Sequence, residues 1–348
     1  MDGASFNIRV PVGLPRSLRV GKQPAPDRIR VMLAAILDFK LMLLFGAVLC
    51  LLVILTVIGR ILKRDPDSMV SRSTADNFNA QIAAWWKICV VFALSLLVGP
   101  VGSLFLFAIL SFLALREYMT LVPTRRGDHR TLFWSFFVIM PLQYYLVGLQ
   151  WYNLFAIMIP VMACIFIPSS IAVAGDTAHF LERTTKIQFG LMVCGYCLSH
   201  LPALLLLKIP GFEGHDARLL LYLGIVNQMN DLLQYVWGKL IGRHKIAWRV
   251  NPDKTWEGAL GGLVSATALG TLLWWATPFT PLQSAGMSFT ICILGFAGGL
   301  VVSAIKRDIG IKDFGAVIER RGGILDRIDS LCFAAPIFFH LVRYYFAP

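Results

Sequence analysis

Charge is what this sequence has least of. Only 15% of its 348 residues are Asp, Glu, Lys or Arg, against 57% hydrophobic, and the mean hydropathy is +0.68. A soluble protein of this length exposes far more charge, so a soluble enzyme or binding domain is excluded. Short alternating segments of the kind that build a porin wall are missing as well. The N-terminus has no basic stretch feeding into a short apolar core with a small-residue cleavage site, so no cleavable signal peptide is expected there. No internal repeat is visible, which argues against a transporter made of two related halves. The seven cysteines mostly sit inside apolar runs. Cys194 and Cys197 form a CxxC within such a run, where a thiol packs as a small hydrophobe rather than as a metal or redox ligand.

What is present is a series of apolar runs of about 20 residues, the length that crosses a bilayer as an α-helix. They fall near 38–62, 80–98, 101–121, 131–149, 151–173, 187–207, 217–241, 258–276, 284–305 and 328–346. The fold class is therefore all-α, a polytopic transmembrane helical bundle of about ten spans. Residues 1–37, rich in Pro and Arg without clear period, read as a loosely structured or interfacial arm, and 38–348 as the transmembrane domain. The net charge of +12 would suggest nucleic acid in a soluble protein. Here most of the 32 Lys and Arg lie in loops after the odd-numbered spans, so membrane topology explains them and no nucleic-acid partner is expected. That bias places those loops in the cytoplasm. The basic residues of the arm run against it, since the arm then lies outside.

Three stretches hold residues that could do chemistry. The seventh span contains Asn227, Asn230, Asp231 and Gln234, spaced three and four apart on one helical face. An ionised side chain at mid-membrane costs about 2.5–3.5 kcal/mol, so Asp231 is expected to line a wet cavity. Hydrogen bonding between helices suits Asn and Gln equally well. The loop before span eight carries Lys254-Thr255-Trp256-Glu257-Gly258, which reads either as a site element or as an ordinary interfacial belt. Gly258, Gly261 and Gly262 then permit close helix approach. The densest cluster is 303–329, with Ser303, Lys306, Arg307, Lys312, Asp313, Arg320, Arg321, Gly322, Gly323, Asp326, Arg327 and Asp329. Asp326 and Asp329 share a face if the last helix begins near them, and two such carboxylates suit Mg²⁺, which takes its remaining ligands from water and phosphate. Gly322-Gly323 brings backbone amides close to a phosphate. Lys306, Arg307 and Lys312 supply positive charge for oxygens that become more negative during displacement at phosphorus.

The order and spacing of these residues resemble the CDP-diacylglycerol synthase (phosphatidate cytidylyltransferase) family. The matching positions are Ser303, Lys306-Arg307, Lys312-Asp313, Gly322-Gly323 and Asp326-Arg327-x-Asp329, with Asn230-Asp231, Tyr235, Gly238, Lys254–Gly258 and Arg116-Glu117 in the same order upstream. The resemblance covers roughly residues 100–346. Arg321 stands where the family has His, and Gly299 where it commonly has an acid four residues before the Ser. The resemblance implies transfer of CMP from CTP to the phosphate of phosphatidate, giving CDP-diacylglycerol and pyrophosphate, in phospholipid synthesis at a bacterial inner (plasma) membrane. Asp231, Asp326 and Asp329 would hold Mg²⁺. Lys306, Arg307, Lys312, Asp313 and Arg327 would carry catalysis, and Asn230, Lys254, Ser303, Arg321, Gly322 and Gly323 would bind substrate. The implied partners are CTP, a lipid phosphate and membrane lipids, with room for a homodimer. Two alternatives stay open. Arg321 and Gly299 motivate a different lipid phosphate as acceptor, and the polar spans are also compatible with a non-catalytic transporter or scaffold.

Overall fold

A computed structural model describes residues 38–64, 72–314 and 323–347. The arm 1–37, Arg320, Arg321 and Gly322 lie outside the described residues. Among those residues ten long helices follow one another in the register the hydropathy predicts: α1 Phe39–Arg64, α2 Arg72–Leu97, α3 Gly99–Leu121, α4 Arg126–Gly148, α5 Tyr152–Val173, α6 Phe180–Leu205, α7 Asp216–Ile241, α8 Trp256–Leu272, α9 Pro281–Asp308 and α10 Leu325–Phe346. A small antiparallel hairpin, β1 Lys245–Ala247 with β2 Asn251–Thr255, stands between α7 and α8. The sequence pattern predicts a loop there, and the structure closes it into paired strands. Seven helices, α1 to α6 and α9, are long and apolar enough to cross a membrane. The chain is an integral membrane protein. α8 spans only 17 residues, and α7 and α10, though continuous, carry the polar residues read above.

Local chemistry sets where these helices turn and widen. Gly99 adopts φ +72° and Pro100 follows in the first turn of α3, so α2 and α3 meet with only Val98 between them. α4, α5 and α6 each contain a π-helical turn, at Ser135–Ile139, Met158–Ala163 and Met192–Cys197. Pro160 lies inside the second, and Pro141 removes the amide that would have bonded back to Phe137 in the first; a missing donor of this kind loosens the helical ladder.

The ends of the helices sort onto two faces. Asp38, just before α1, accepts from Arg218 and from His215 Nδ1 at the start of α7, and Lys40 Nζ donates to the Trp275 carbonyl after α8 at 2.9 Å. The start of α1 therefore shares a face with the start of α7. The apolar run 38–62 forms a full helix whose far end lies on the opposite face. That opposite face receives the ends of α3, α7 and α9, the starts of α8 and α10, and the hairpin.

α7 to α10 pack through small residues. A Cβ on Gly262 would meet Gln234 backbone N at 2.8 Å, and one on Gly258 would meet the Gln234 carbonyl at 2.7 Å, so α8 lies directly against α7 as its glycines predict. Gly298 lets α9 reach the Asp329 carbonyl and Phe333 of α10, each 2.9 Å from where a Cβ would stand. The site described next is assembled by these close approaches.

Candidate active site

Where α7, α8, α9, α10 and the hairpin converge, they enclose a cavity of about 290 Å³. Asp231 of α7, Lys254 of β2, Ser303 and Lys306 of α9, and Asp326, Arg327 and Asp329 of α10 all line it. Seven of the residues singled out in the sequence, drawn from segments nearly a hundred positions apart, thus face one space.

The polar contacts divide this wall into a closed part and an open part. Lys306 Nζ donates to Asp326 Oδ1 at 2.9 Å, a pair whose side chains are 12% and 9% exposed. Asp326 Oδ2 accepts the backbone amides of Phe314 at 2.7 Å and Gly323 at 2.9 Å, so one carboxylate holds Phe314 and Gly323 together. On α7, Asp231 Oδ2 accepts from the Ser330 hydroxyl at 2.7 Å, and that hydroxyl accepts from Asn227 Nδ2 at 2.9 Å. Lys254 Nζ donates to Gln234 Oε1 at 2.7 Å and stands 3.8 Å from Asp231 Oδ1. Asp329 accepts the Ser330 amide at 2.8 Å, and no salt bridge reaches it among the described residues. Asp231 and Asp329 are therefore two carboxylates on one cavity wall whose charge is only loosely balanced. Hard anionic oxygens in that state fit a hard divalent cation. No group of three or more His, Cys, Asp or Glu in metal-holding geometry is found among the described residues.

Several expectations need correction. Asn227, Asn230, Asp231 and Gln234 do not act on one face. Asp231 and Gln234 look into the cavity, whereas Asn227 serves Ser330 and Asn230 donates to the Cys292 carbonyl of α9 at 3.0 Å, fully buried. Asn230 is next to Asp231 in sequence and so about 100° round the helix from it. Its carboxamide ties helices together rather than lining the cavity, which is the ordinary role of such a group in a bundle. Arg307, one residue past Lys306, points away for the same reason. Its guanidinium donates to the Val250 and Ile311 carbonyls, both at 3.2 Å, and braces the hairpin. Lys312 and Asp313 are exposed beyond the end of α9 and do not line the cavity. Gly323 contributes its amide to Asp326, while Arg321 and Gly322 lie outside the described residues.

In the loop before α8 the motif residues are mostly structural. Thr255 caps α8 by accepting the Gly258 amide at 3.2 Å, and Glu257 accepts the amides of Arg243 and His244 and the His244 ring at 2.6 Å. Lys254 turns its ammonium inward, and Thr255 lines the cavity beside it.

Sequence reasoning missed four kinds of lining residue. Ser330, four positions from Asp326, shares its helical face and could have been found by that spacing. Asn251 and Asp253 needed the hairpin to be recognised. Gln228 sits on the polar stretch of α7 beside those that were named. Trp85 and Ile88 of α2 form an apolar side to the cavity and carry no signal in the sequence. Gly299 also lines it, and a Cβ there would meet nothing within 4 Å.

Comparisons with known proteins point the same way as the geometry. The cytidylyltransferase family profile matches residues 79–345, which includes every cavity-lining residue named above. The chain is 38% identical over 300 residues to the uncharacterized protein YnbB of Escherichia coli (strain K12), covering 84% of this chain and 95% of that one. It is 38% identical over 114 residues to a phosphatidate cytidylyltransferase of Synechocystis sp. (strain ATCC 27184 / PCC 6803 / Kazusa), covering 32% of this chain and 39% of that one. A phosphatidate cytidylyltransferase of Staphylococcus aureus (strain COL) is 30% identical over 157 residues, 44% of this chain and 60% of that one. The present chain thus spans less than two thirds of the length of each of these two phosphatidate cytidylyltransferases. The chain belongs to the cytidylyltransferase family and is a nucleotidyltransferase.

Proposed function

We propose that this cavity transfers the CMP unit of CTP to the phosphate of phosphatidate, forming CDP-diacylglycerol and releasing pyrophosphate. The observation that carries the reading is the meeting of Asp231 from α7 with Lys306, Asp326 and Asp329 from α9 and α10 in one cavity at the helix ends. The phosphatidate oxygen attacks the α-phosphorus of CTP, the new P–O bond forms as the bond to pyrophosphate breaks, and the electron pair leaves with pyrophosphate. A phosphate monoester is already largely dianionic near neutral pH, its second pKa being about 6, so no strong general base is needed. The work left for the protein is positioning and charge neutralisation.

Lys306, steadied by Asp326, and Lys254, held beside Asp231, present ammonium groups toward the phosphates. Asp231 and Asp329 would hold Mg²⁺, with Asp326 beside them. When bound, the ion neutralises charge on the triphosphate. Ser330 and Asn227 orient Asp231 from behind. The apolar side given by Trp85 and Ile88 suits the acceptor's glycerol and acyl chains, which remain in lipid while the headgroup meets CTP. In a bacterium the reaction would belong to the inner membrane, and the bias of Lys and Arg toward the loops on this face supports a cavity open to the cytoplasm.

Gly299 favours a second reading. It leaves open space in the cavity where an acid would stand, and a different lipid phosphate could use that room. Pyrophosphate release from CTP by purified protein, measured against phosphatidate, lysophosphatidate and a polyprenyl phosphate, separates the two. Release with phosphatidate at the highest kcat/KM supports the first reading, and release with a non-diacyl lipid alone replaces it with the second.

A further inference from the structure

Glu117 makes a contact that neither substrate nor cavity lining accounts for. It lies near the end of α3, 4% exposed, and its Oε2 accepts the backbone amides of Ile324 at 2.8 Å and Leu325 at 3.3 Å. These amides open α10, where no carbonyl of the helix can serve them. Ile324, at the cap position, has no side chain that could do so. A carboxylate there also complements the positive end of the helix. From the cavity side, Asp326 Oδ2 takes the preceding amide, that of Gly323. Two acids thus grip three consecutive residues, one of them from a helix two hundred positions earlier. A Cβ on Gly323 would fall on the Glu117 carboxylate, so Glu117 holds this position only past a residue without a side chain at 323. Glu117 Oε1 is buried with no partner among the described residues, which leaves the contact with α10 as the work of the other oxygen.

We propose that Glu117 is a positioning residue for CMP transfer. It fixes the first turn of α10, and through that turn the carboxylates of Asp326 and Asp329 and the Ser330 hydroxyl that holds Asp231. The proposal rests on the cavity being the site of transfer. α10 presents those three side chains within five residues of its start, so a small rotation there moves them all. A displacement of about 1 Å in such a constellation costs up to about 100-fold in rate.

Two readouts on the detergent-solubilised full-length chain test it. Glu117→Ala should speed hydrogen–deuterium exchange of the amides in 323–330 while leaving α3 and α7 unchanged. It should lower kcat by about 10- to 100-fold with KM for CTP within two-fold. Glu117→Gln keeps an acceptor oxygen at the same reach and should restore both. Gly323→Ala should reproduce Glu117→Ala, and the double variant should be no worse than either alone, because both break one contact. The proposal is overturned if exchange at 323–330 is unchanged in Glu117→Ala. Multiplying effects in the double variant, or a kcat loss that only tracks a fall in Tm, overturn it as well. If the wild-type chain transfers nothing to phosphatidate, the functional reading fails, and the exchange readout still decides whether Glu117 fixes α10.

Discussion

Glu117 apart, the first six helices and the last four treat charge in opposite ways. Between α4 and α6, Asp128 and Arg183 are both buried and fully matched. The guanidinium takes both carboxylate oxygens, and its remaining donors reach the Asp176 and Ala178 carbonyls. The Thr131 and Ser170 hydroxyls in this half also close on one another. In α7 to α10 the acids outrun their partners. Asp326 is satisfied, Asp231 has its ammonium only at 3.8 Å, and Asp329 has no ion pair among the described residues. Charge that is closed within the protein builds structure. Charge left open beside a cavity awaits a ligand, and the two halves should respond to substitution accordingly.

The largest expected effect breaks the open half. Asp329→Asn should cut CTP-dependent lipid product at least about 100-fold, the scale for losing one group that acts on developing charge, while folded yield and Tm stay near wild type. Near-normal turnover would remove Asp329 from the chemistry. The closed half should do the reverse. Arg183→Met strands a buried carboxylate and should destabilise the protein by about 3–5 kcal/mol, seen as a lower Tm, with turnover per folded molecule preserved. Equal losses of activity per folded molecule in both variants would erase the contrast.

A smaller change sharpens it. Gly299→Asp fits sterically, since its Cβ meets nothing within 4 Å, and it adds an acid to the open wall. The variant should fold normally and reach half-maximal turnover at a few-fold lower Mg²⁺ concentration, read from an activation curve. An unchanged curve would show that the open wall does not hold the ion.

The smallest effect lies on the far face. Burial pushes the Asp38 carboxyl up, but the bond and charge of Arg218, with His215, more than offset this and hold it below its ordinary 3.8. A depressed carboxyl stabilises the fold above that value and loses its contribution as pH falls through the lowered one. Tm measured from pH 6 down to 3 should therefore drop at the acid end in the wild type and more shallowly in Asp38→Asn.

Much of this was legible in the sequence because hydropathy sets spans without knowledge of their partners. All ten helices fall where the apolar runs predict; α2 departs most, starting eight residues early at Arg72, and α6 starts seven early through the amphipathic turns around Arg183 and Lys186. The cavity residues on α9 and α10 were legible because charge inside an apolar context is costly and therefore conspicuous. What stayed hidden depended on direction. Asn230 beside Asp231, and Arg307 beside Lys306, differ by one residue and a third of a helical turn, and only packing decides which of each pair looks inward. The apolar side given by Trp85 depends on a contact between distant segments, which no local pattern encodes.

The central claim is that α7 and α10 together form the site of CMP transfer. It is tested most directly by giving the purified protein phosphatidate and Mg²⁺ with CTP labelled at either the α- or the γ-phosphorus. The account predicts that α label enters the lipid phase, γ label leaves as pyrophosphate, and both movements stop in Asp231→Asn and in Asp329→Asn. Appearance of γ label in lipid, or transfer of α label that survives both substitutions, would contradict it.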